Sequence, residues 1–351
     1  MKNSYTAIGI MSGTSLDGLD VACVTLTTKG FFSIESASTF PYSELWEEKL
    51  RQAPQLSATA LLALNAQYGT YIGQACLEFF KQKKIDPASI DFIASHGHTI
   101  FHVPANGYTY QLGNGPHIKT VTGITTVCDF RSADVALGGQ GAPLVPVGDK
   151  DLFAQYDACL NLGGFANISF KHQRERIAFD ICPVNYVLNS LAKQLNEPFD
   201  AGGNLAKTGK PLPQLLQALN QLEYYRRKPP KSLGAEWVEE QVSPLLASAA
   251  AKPQDLLATF TLHSAQQIAK ILEHYGLNQV LATGGGVYNQ YLLKLVKQFF
   301  KGALILPEDN LINYKEALVF AWLGLLRLQE KNNILASVTG ANTDHCGGLI
   351  Y

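Results

Sequence analysis

Three short segments of this chain set glycine beside small polar side chains, a combination that holds phosphate groups through the backbone. Ser12–Gly18 reads SGTSLDG, Asn161–Asn167 reads NLGGFAN and Thr283–Asn289 reads TGGGVYN. Where the Cβ is missing, main-chain N–H groups reach an anionic oxygen, and Thr14 and Ser15 would add hydroxyl donors. Asp17 is suited to orient a phosphate-bound Mg²⁺ through water. The first segment is not a P-loop, because no Gly-Lys-Ser/Thr follows at the needed spacing. Each hairpin also has a purely structural reading. In SGTSLDG the Ser, Thr and Asp side chains would bond their own backbone, and in NLGGFAN the glycines would supply positive φ in a tight turn. TGGGVYN further admits a dinucleotide reading, with Asn289 in place of the third glycine and Glu308 after a candidate strand, Ala303–Leu306, as the ribose-binding acid. That fingerprint normally opens a domain, and the two hairpin turns would then have no role.

Asp180 is the candidate general base. A carboxylate at the carboxyl end of the strand Ile177–Phe179 faces the crevice in which α/β sheets bind ligands, with Pro183 accepted in the first turn of a helix over Val184–Leu195. The alternative is a plain cap or turn former. His96, His98 and His102 form H-x-H-x-x-x-H, and on a continuing strand period-two geometry places them on one face. A metal cluster would need further converging ligands, and no other short metal-ligand spacing is present. Binding a polar substrate or bonding backbone are the competing roles.

The elements that must position these residues follow from apolar spacing. Ala7–Met11 and Leu19–Leu26 flank the first turn as strands, and Ala158–Leu162 and Phe165–Phe170 flank the second. Ala58–Lys81 carries helical spacing (Leu61, Leu64, Tyr68, Tyr71, Ala75), and Ile90–Ser95 reads as a strand ending at His96. Gln279–Ala282 is a strand, followed by a glycine turn and an amphipathic helix, Asn289–Phe300, with Leu292, Leu293, Val296, Phe299 and Phe300 inward. Tyr224–Gly234, with Pro229 and Pro230, reads as a long loop. The strand-turn-strand grammar occurs once in each half, which points to two related lobes.

A chain of 351 residues exceeds what one core usually supports. With 28 Lys and Arg against 29 Asp and Glu, no surplus positive charge is available for nucleic acid or anionic lipid. The six cysteines form no CxxC pair or disulfide spacing and read as reduced thiols. The N-terminal segment lacks the run of a signal peptide, and the longest apolar stretch, Ala317–Leu326, is too short to span a bilayer, so the expected location is the cytoplasm.

Taken in order, GIMSGTSLDGLDVA (9–22), ASHGHTIFHVP (94–104), DFRSADVALGGQGAPLVP (129–146), NLGGFANI (161–168), PPKSLGAE (229–236), TGGGVYN (283–289) and KEALVFAWLG (315–324) resemble the anhydro-N-acetylmuramic acid kinases nearly end to end. The resemblance implies an α/β, two-lobed actin-like ATPase (ribonuclease H-like) fold with duplicated mixed-sheet domains and a central cleft. The first lobe is then expected at residues 1–135 plus 331–351 and the second at 136–330. The implied reaction uses ATP, Mg²⁺ and water to open the 1,6-anhydro bridge of a small sugar and phosphorylate O6, in cell-wall recycling. Ser12, Gly13, Thr14, Ser15, Leu16, Asp17, Gly18, Leu19 and Asp20 are then like one phosphate turn, and Asn161, Gly163, Gly164 and Asn167 like the other. Gly284, Gly285, Gly286 and Asn289 are like the adenosine-side turn. Asp180 matches the family's base, and Glu316 an acid near the sugar. His96, His98, Gln111, Asp129 and Arg131 are candidates for holding the sugar, Arg131 through a fork that suits a carboxylate. A homodimer is the implied assembly. The sequence departs from the family pattern at FDICPVN (Phe179–Asn185), where Ile181, Cys182 and Val184 stand at a hydroxyl and two small positions, and at His98, Asn114 and Ala235. These changes are expected to place side chains in the cleft, which keeps a different sugar, or a catalytically silent nucleotide-binding protein, as alternatives.

Overall fold

Two sheets of one plan carry the glycine turns and Asp180. The computed structural model describes residues 2–13 and 16–351, and the chain divides into two compact units, one formed by residues up to Leu152 with Tyr314–Tyr351 and the other by Phe153–Asn313. The changeovers expected near residues 135 and 330 both fall inside the first unit.

In the first unit β1 (Ser4–Ser12), β2 (Leu19–Thr27) and β3 (Phe32–Phe40) form an antiparallel meander, and β4 (Phe92–Ser95) runs parallel to β1. The chain then leaves the sheet as a separate hairpin, β5 (His98–Val103) with β6 (Tyr108–Leu112), before β7 (Thr126–Cys128) returns parallel to β4. In the second unit β8 (Ala158–Leu162), β9 (Phe165–His172) and β10 (Glu175–Pro183) repeat the meander, and β11 (Gln279–Thr283) and β12 (Ala303–Ile305) follow in parallel. The sheet orders are β3-β2-β1-β4-β7, extended at the edge by β13 (Leu349–Ile350), and β10-β9-β8-β11-β12. Counted along the chain within each sheet, with β13 set aside, both read third, second, first, fourth, fifth. The duplicated turns are thus the first hairpins of two equivalent sheets.

Helices cover these sheets by burying apolar stripes. The helix Ala58–Lys83 starts at Ser57, whose side chain accepts the Ala60 N–H, and ends at Lys84 with φ 57°. Its buried stripe includes Leu64, Tyr68, Ile72, Cys76 and Phe79, each large side chain contributing about 1.5–3 kcal/mol by leaving water. The helix Asp309–Leu328 lies directly on β1, since a Cβ at Gly9 would run into the Ala317 carbonyl. That close approach fixes Glu316, one residue earlier, beside the first hairpin. Among the described residues no helix is long and apolar enough to cross a membrane, and all six cysteines are free thiols.

Several expectations change. The histidine segment does not continue as one strand, because Gly97 (φ 76°) turns the chain from β4 into the separate β5 hairpin. Pro183 ends β10 instead of starting a helix, which begins at Asn185. The helix after the third glycine turn spans Gln290–Phe299, with Leu295 buried and Phe299 43% exposed, so Phe299 does not face inward.

Candidate active site

In the second unit strand register alone aligns the NLGGFAN hairpin, the TGGGVYN turn and Asp180. Thr283, Asn161, Asn167 and Asp180 are successive partners across β11, β8, β9 and β10, and directly opposed residues share a face of the sheet. Their neighbours Leu160, Leu162, Ala166, Ile168, Phe179 and Ile181 pack into the core, while Asn161, Asn167 and Asp180 stay partly exposed. The result is a polar row crossing four strands. Thr283, which the sequence reading left unassigned, is 1% exposed, and its hydroxyl has no hydrogen-bond partner among the described residues.

The glycines bordering this row fall into two kinds. Gly284 has φ 84°, and a Cβ there would strike the Asn161 side chain; a Cβ on Gly286 would lie 2.8 Å from Leu162 Cβ. These two are demanded by the packing of the turn against the end of β8. Gly163, Gly164 and Gly285 do not have positive φ, and an added Cβ would meet nothing closer than 3.4 Å, 3.8 Å and 4 Å respectively. The positive-φ explanation of NLGGFAN therefore fails, and the protein's own fold does not require glycine at these three positions. Asn289 is used internally: 7% exposed, its Oδ1 accepts the Leu292 N–H at 2.9 Å and caps the helix. Glu308, the ribose-binding acid of the dinucleotide reading, stands at the head of the helix Asp309–Leu328, its carbonyl accepting the Leu311 N–H.

Asp180 sits at a bulge, where the register of β10 shifts between Asp180 and Cys182. Its Oδ2 accepts the Leu233 N–H at 2.8 Å. Burial pushes the carboxyl above the usual carboxylate range, and the Leu233 N–H draws it partly back. The departures in FDICPVN turn away from this face. Ile181 is 1% exposed and Cys182 and Val184 are fully buried in the core, so the expected side chains in the cleft are not there.

In the first unit Thr14 and Ser15 lie outside the described residues. Ser12 is buried, and its hydroxyl is shared between Tyr42 Oη at 2.7 Å and His98 Nδ1 at 2.8 Å; Tyr42 in turn meets Tyr68 Oη at 2.6 Å. This chain anchors the start of the turn to the long helix, and burial pushes His98 down to about 4. Leu16 takes φ 58° and Asp17 is exposed. A Cβ at Gly18 would lie 2.6 Å from the Phe40 carbonyl, so that glycine is fixed by β3. Leu19 is fully buried. Asp20 accepts from Thr39 Oγ1 at 2.6 Å, and burial, with repulsion from Asp17 and Glu316, raises it to about 6.

Arg131 donates from Nε to His96 Nε2 at 2.9 Å and from Nη1 to the Gly141 carbonyl at 2.5 Å. Accepting at Nε2 leaves His96 neutral with its proton on Nδ1, and burial and the Arg131 charge hold its pKa well below the usual value. Burial lowers Arg131 to about 10, opposed by the charges of Glu316 and Asp134. Glu316 is raised by burial and drawn back by Lys315 and Arg131. Asp134, which sequence reasoning missed, is fully buried and accepts the Gly141 N–H and the Thr339 hydroxyl, fixing the loop that holds Arg131. Asp129 adopts φ 54° and accepts the Ser132 N–H at 3.3 Å. Gln111 and His102 meet at Thr109 Oγ1 in the β5–β6 hairpin. The structure therefore bonds Ser12 to His98 and Arg131 to His96, while Glu316 acts on Arg131 through its charge. Gln111 and His102 belong to the hairpin network, and no group of three or more His, Cys, Asp and Glu among the described residues could hold a metal ion.

A profile of the anhydro-N-acetylmuramic acid kinases matches residues 5–351. Relatives bearing that name include one from Francisella tularensis subsp. novicida, 34% identical over 98% of this chain and 97% of its own length. Another from Pseudomonas fluorescens is 35% identical over 98% of both, and one from Chromobacterium violaceum is 36% identical over 98% of both.

Proposed function

The chain belongs to the anhydro-N-acetylmuramic acid kinase family, and from that premise we propose that it uses ATP and water to convert 1,6-anhydro-N-acetylmuramic acid into N-acetylmuramic acid 6-phosphate and ADP. The observation that carries this reading is the polar row ending at Asp180, bordered by Gly163, Gly164 and Gly285, which the fold itself leaves free to be larger. A phosphate chain resting there would meet the Gly164 and Gly285 N–H groups, the Gly163 N–H being given to the Phe165 carbonyl, and Asn161 and Asn167 offer uncharged donors.

In the reaction Asp180 takes a proton from the water that attacks the anomeric carbon. The bond from that carbon to the bridging oxygen breaks, and the released oxygen attacks the γ-phosphorus as the bond to ADP breaks. A base must be ionised to act, so activity rises with pH through the pKa of Asp180, and the elevation by burial strengthens it as a proton acceptor. Phosphoryl transfer of this kind depends on positioning and charge stabilisation, which accords with turns built of backbone donors. Mg²⁺, when bound with the nucleotide, supplies charge neutralisation at the phosphates; Asp17 and Asp20 bring the carboxylate oxygens it favours beside the first turn. Arg131, steadied by His96 and Gly141, is assigned to the sugar's lactyl carboxylate and Glu316 to the sugar hydroxyls. In this reading the two lobes follow the two compact units, the enzyme is a cytoplasmic homodimer, and its pathway is cell-wall recycling.

The test is ADP release in the presence of Mg²⁺ across a panel of amino sugars with and without the 1,6-bridge. Turnover with the bridged N-acetylmuramic acid at least about a hundredfold above the others is expected. Equal or greater turnover of an unbridged sugar would assign a different acceptor, and ATP binding without turnover of any sugar would assign a silent nucleotide-binding protein.

A further inference from the structure

We propose that the segment Tyr224–Leu233, outside the polar row, is a clamp that positions the Asp180 carboxylate, with Tyr224, Lys231 and the Leu233 backbone as its working parts. The proposal rests on the reading of Asp180 as the base.

Asp180 lies on β10, an edge strand of its sheet, and beside a bulge. An edge strand presents unpaired backbone groups, and a bulge re-aims the side chain next to it. Both would leave the carboxylate poorly fixed. The segment compensates at three atoms of the one residue. The Asp180 N–H donates to the Lys231 carbonyl at 3.3 Å, the Asp180 carbonyl accepts from Tyr224 Oη at 2.6 Å, and Oδ2 accepts the Leu233 N–H at 2.8 Å. No other hydrogen bond to the carboxylate is found among the described residues, so Oδ1 is the oxygen left to receive a proton.

Lys231 ties the segment to itself. Its ammonium donates to the Tyr224 carbonyl at 3.3 Å, lies 4.5 Å from the centre of the Tyr224 ring and 5.7 Å from that of Phe179, the residue preceding Asp180. A cation over two rings, with its stem in the same niche, closes the loop at both ends. The titratable neighbours of Asp180 in this niche are Tyr224 and Cys182, with Lys231 beside Cys182. None of the three clamp residues projects from the polar row, so their part is positioning and not chemistry.

The experiment compares Tyr224→Phe, Lys231→Met, Lys231→Arg and Asp180→Asn in the full chain, with thermal midpoints taken to verify folding. Tyr224→Phe and Lys231→Met are expected to lower kcat by about tenfold or more, a misplacement effect, with KM for ATP and sugar within about twofold of the parent. They also move the acid limb of the kcat profile to higher pH, because the Leu233 N–H favours the ionised carboxylate. Lys231→Arg, which keeps the cation over the rings, recovers most of the loss. If both disabling variants fold yet keep the parental kcat and acid limb, the clamp is refuted. If Asp180→Asn itself retains turnover, the base assignment falls, a result distinguishable from failure of the clamp alone.

Discussion

Replacing Lys315 by methionine tests whether the first unit depends on a buried ion pair. Lys315 Nζ lies 2.7 Å from Asp149 Oδ1, with side chains only 6% and 5% exposed. With both side chains so buried, Lys315→Met leaves the Asp149 carboxylate without the Lys315 charge in a low-dielectric niche. Breaking such a pair from one side costs about 3–5 kcal/mol. For a unit of this size each kcal/mol moves the thermal midpoint by about 2–4 °C, so Lys315→Met should melt about 10 °C earlier by differential scanning calorimetry. The loss has a second consequence at Glu316. The Lys315 charge draws the Glu316 carboxyl down against burial, so Glu316 becomes harder to ionise in the variant. A double variant, Lys315→Met with Asp149→Leu, removes both charges and should recover at least half of the lost stability, since two apolar groups have no desolvation cost. A midpoint within about 2 °C of the parent for Lys315→Met, or a double variant less stable than the single, would refute this account of the pair.

Three further outcomes are expected. Gly285→Ala places a methyl where nothing lies within 4 Å; the thermal midpoint should hold or rise slightly through a stiffer unfolded chain, while KM for ATP rises about tenfold. Arg131→Lys loses the planar fork, so KM for the sugar should rise about tenfold or more with KM for ATP unchanged in steady-state kinetics. Asp20 is raised from 3.8 to about 6, so the folded state holds its proton more tightly and stability falls as pH climbs through that window. Asp20→Asn should therefore melt higher than the parent at pH 8, by roughly 2–4 °C, and gain little at pH 4.

The first hairpin of each meander was legible because short apolar runs flank its glycine turn, and β8 matches at both ends; β3, which has no buried position, carries no such signal. Asp180 was read as closing the strand Ile177–Phe179, whereas β10 continues past it to Pro183; its row with Asn167 and Asn161 follows once the strands pair. Its surroundings were not legible, because Tyr224 and Leu233 reach it from 44 and 53 residues away and no local pattern announces that return. The histidine segment misled for a local reason. Period-two reasoning assumes a continuing strand, and Gly97 breaks it at a position where a Cβ would collide with the Leu112 carbonyl. The FDICPVN departures misled because a sequence shows a changed residue without its facing. The bulge at Asp180 turns Ile181 and Cys182 into the core. Asp134 was illegible because its partners, Gly141 and Thr339, only meet after folding.

The measurement that bears most directly on the account is the mass of the product formed from ATP, Mg²⁺ and 1,6-anhydro-N-acetylmuramic acid. The expected product is heavier than the sugar by one water and one phosphoryl group, and is absent with Asp180→Asn. A product heavier by the phosphoryl group alone, with the bridge intact, would contradict it.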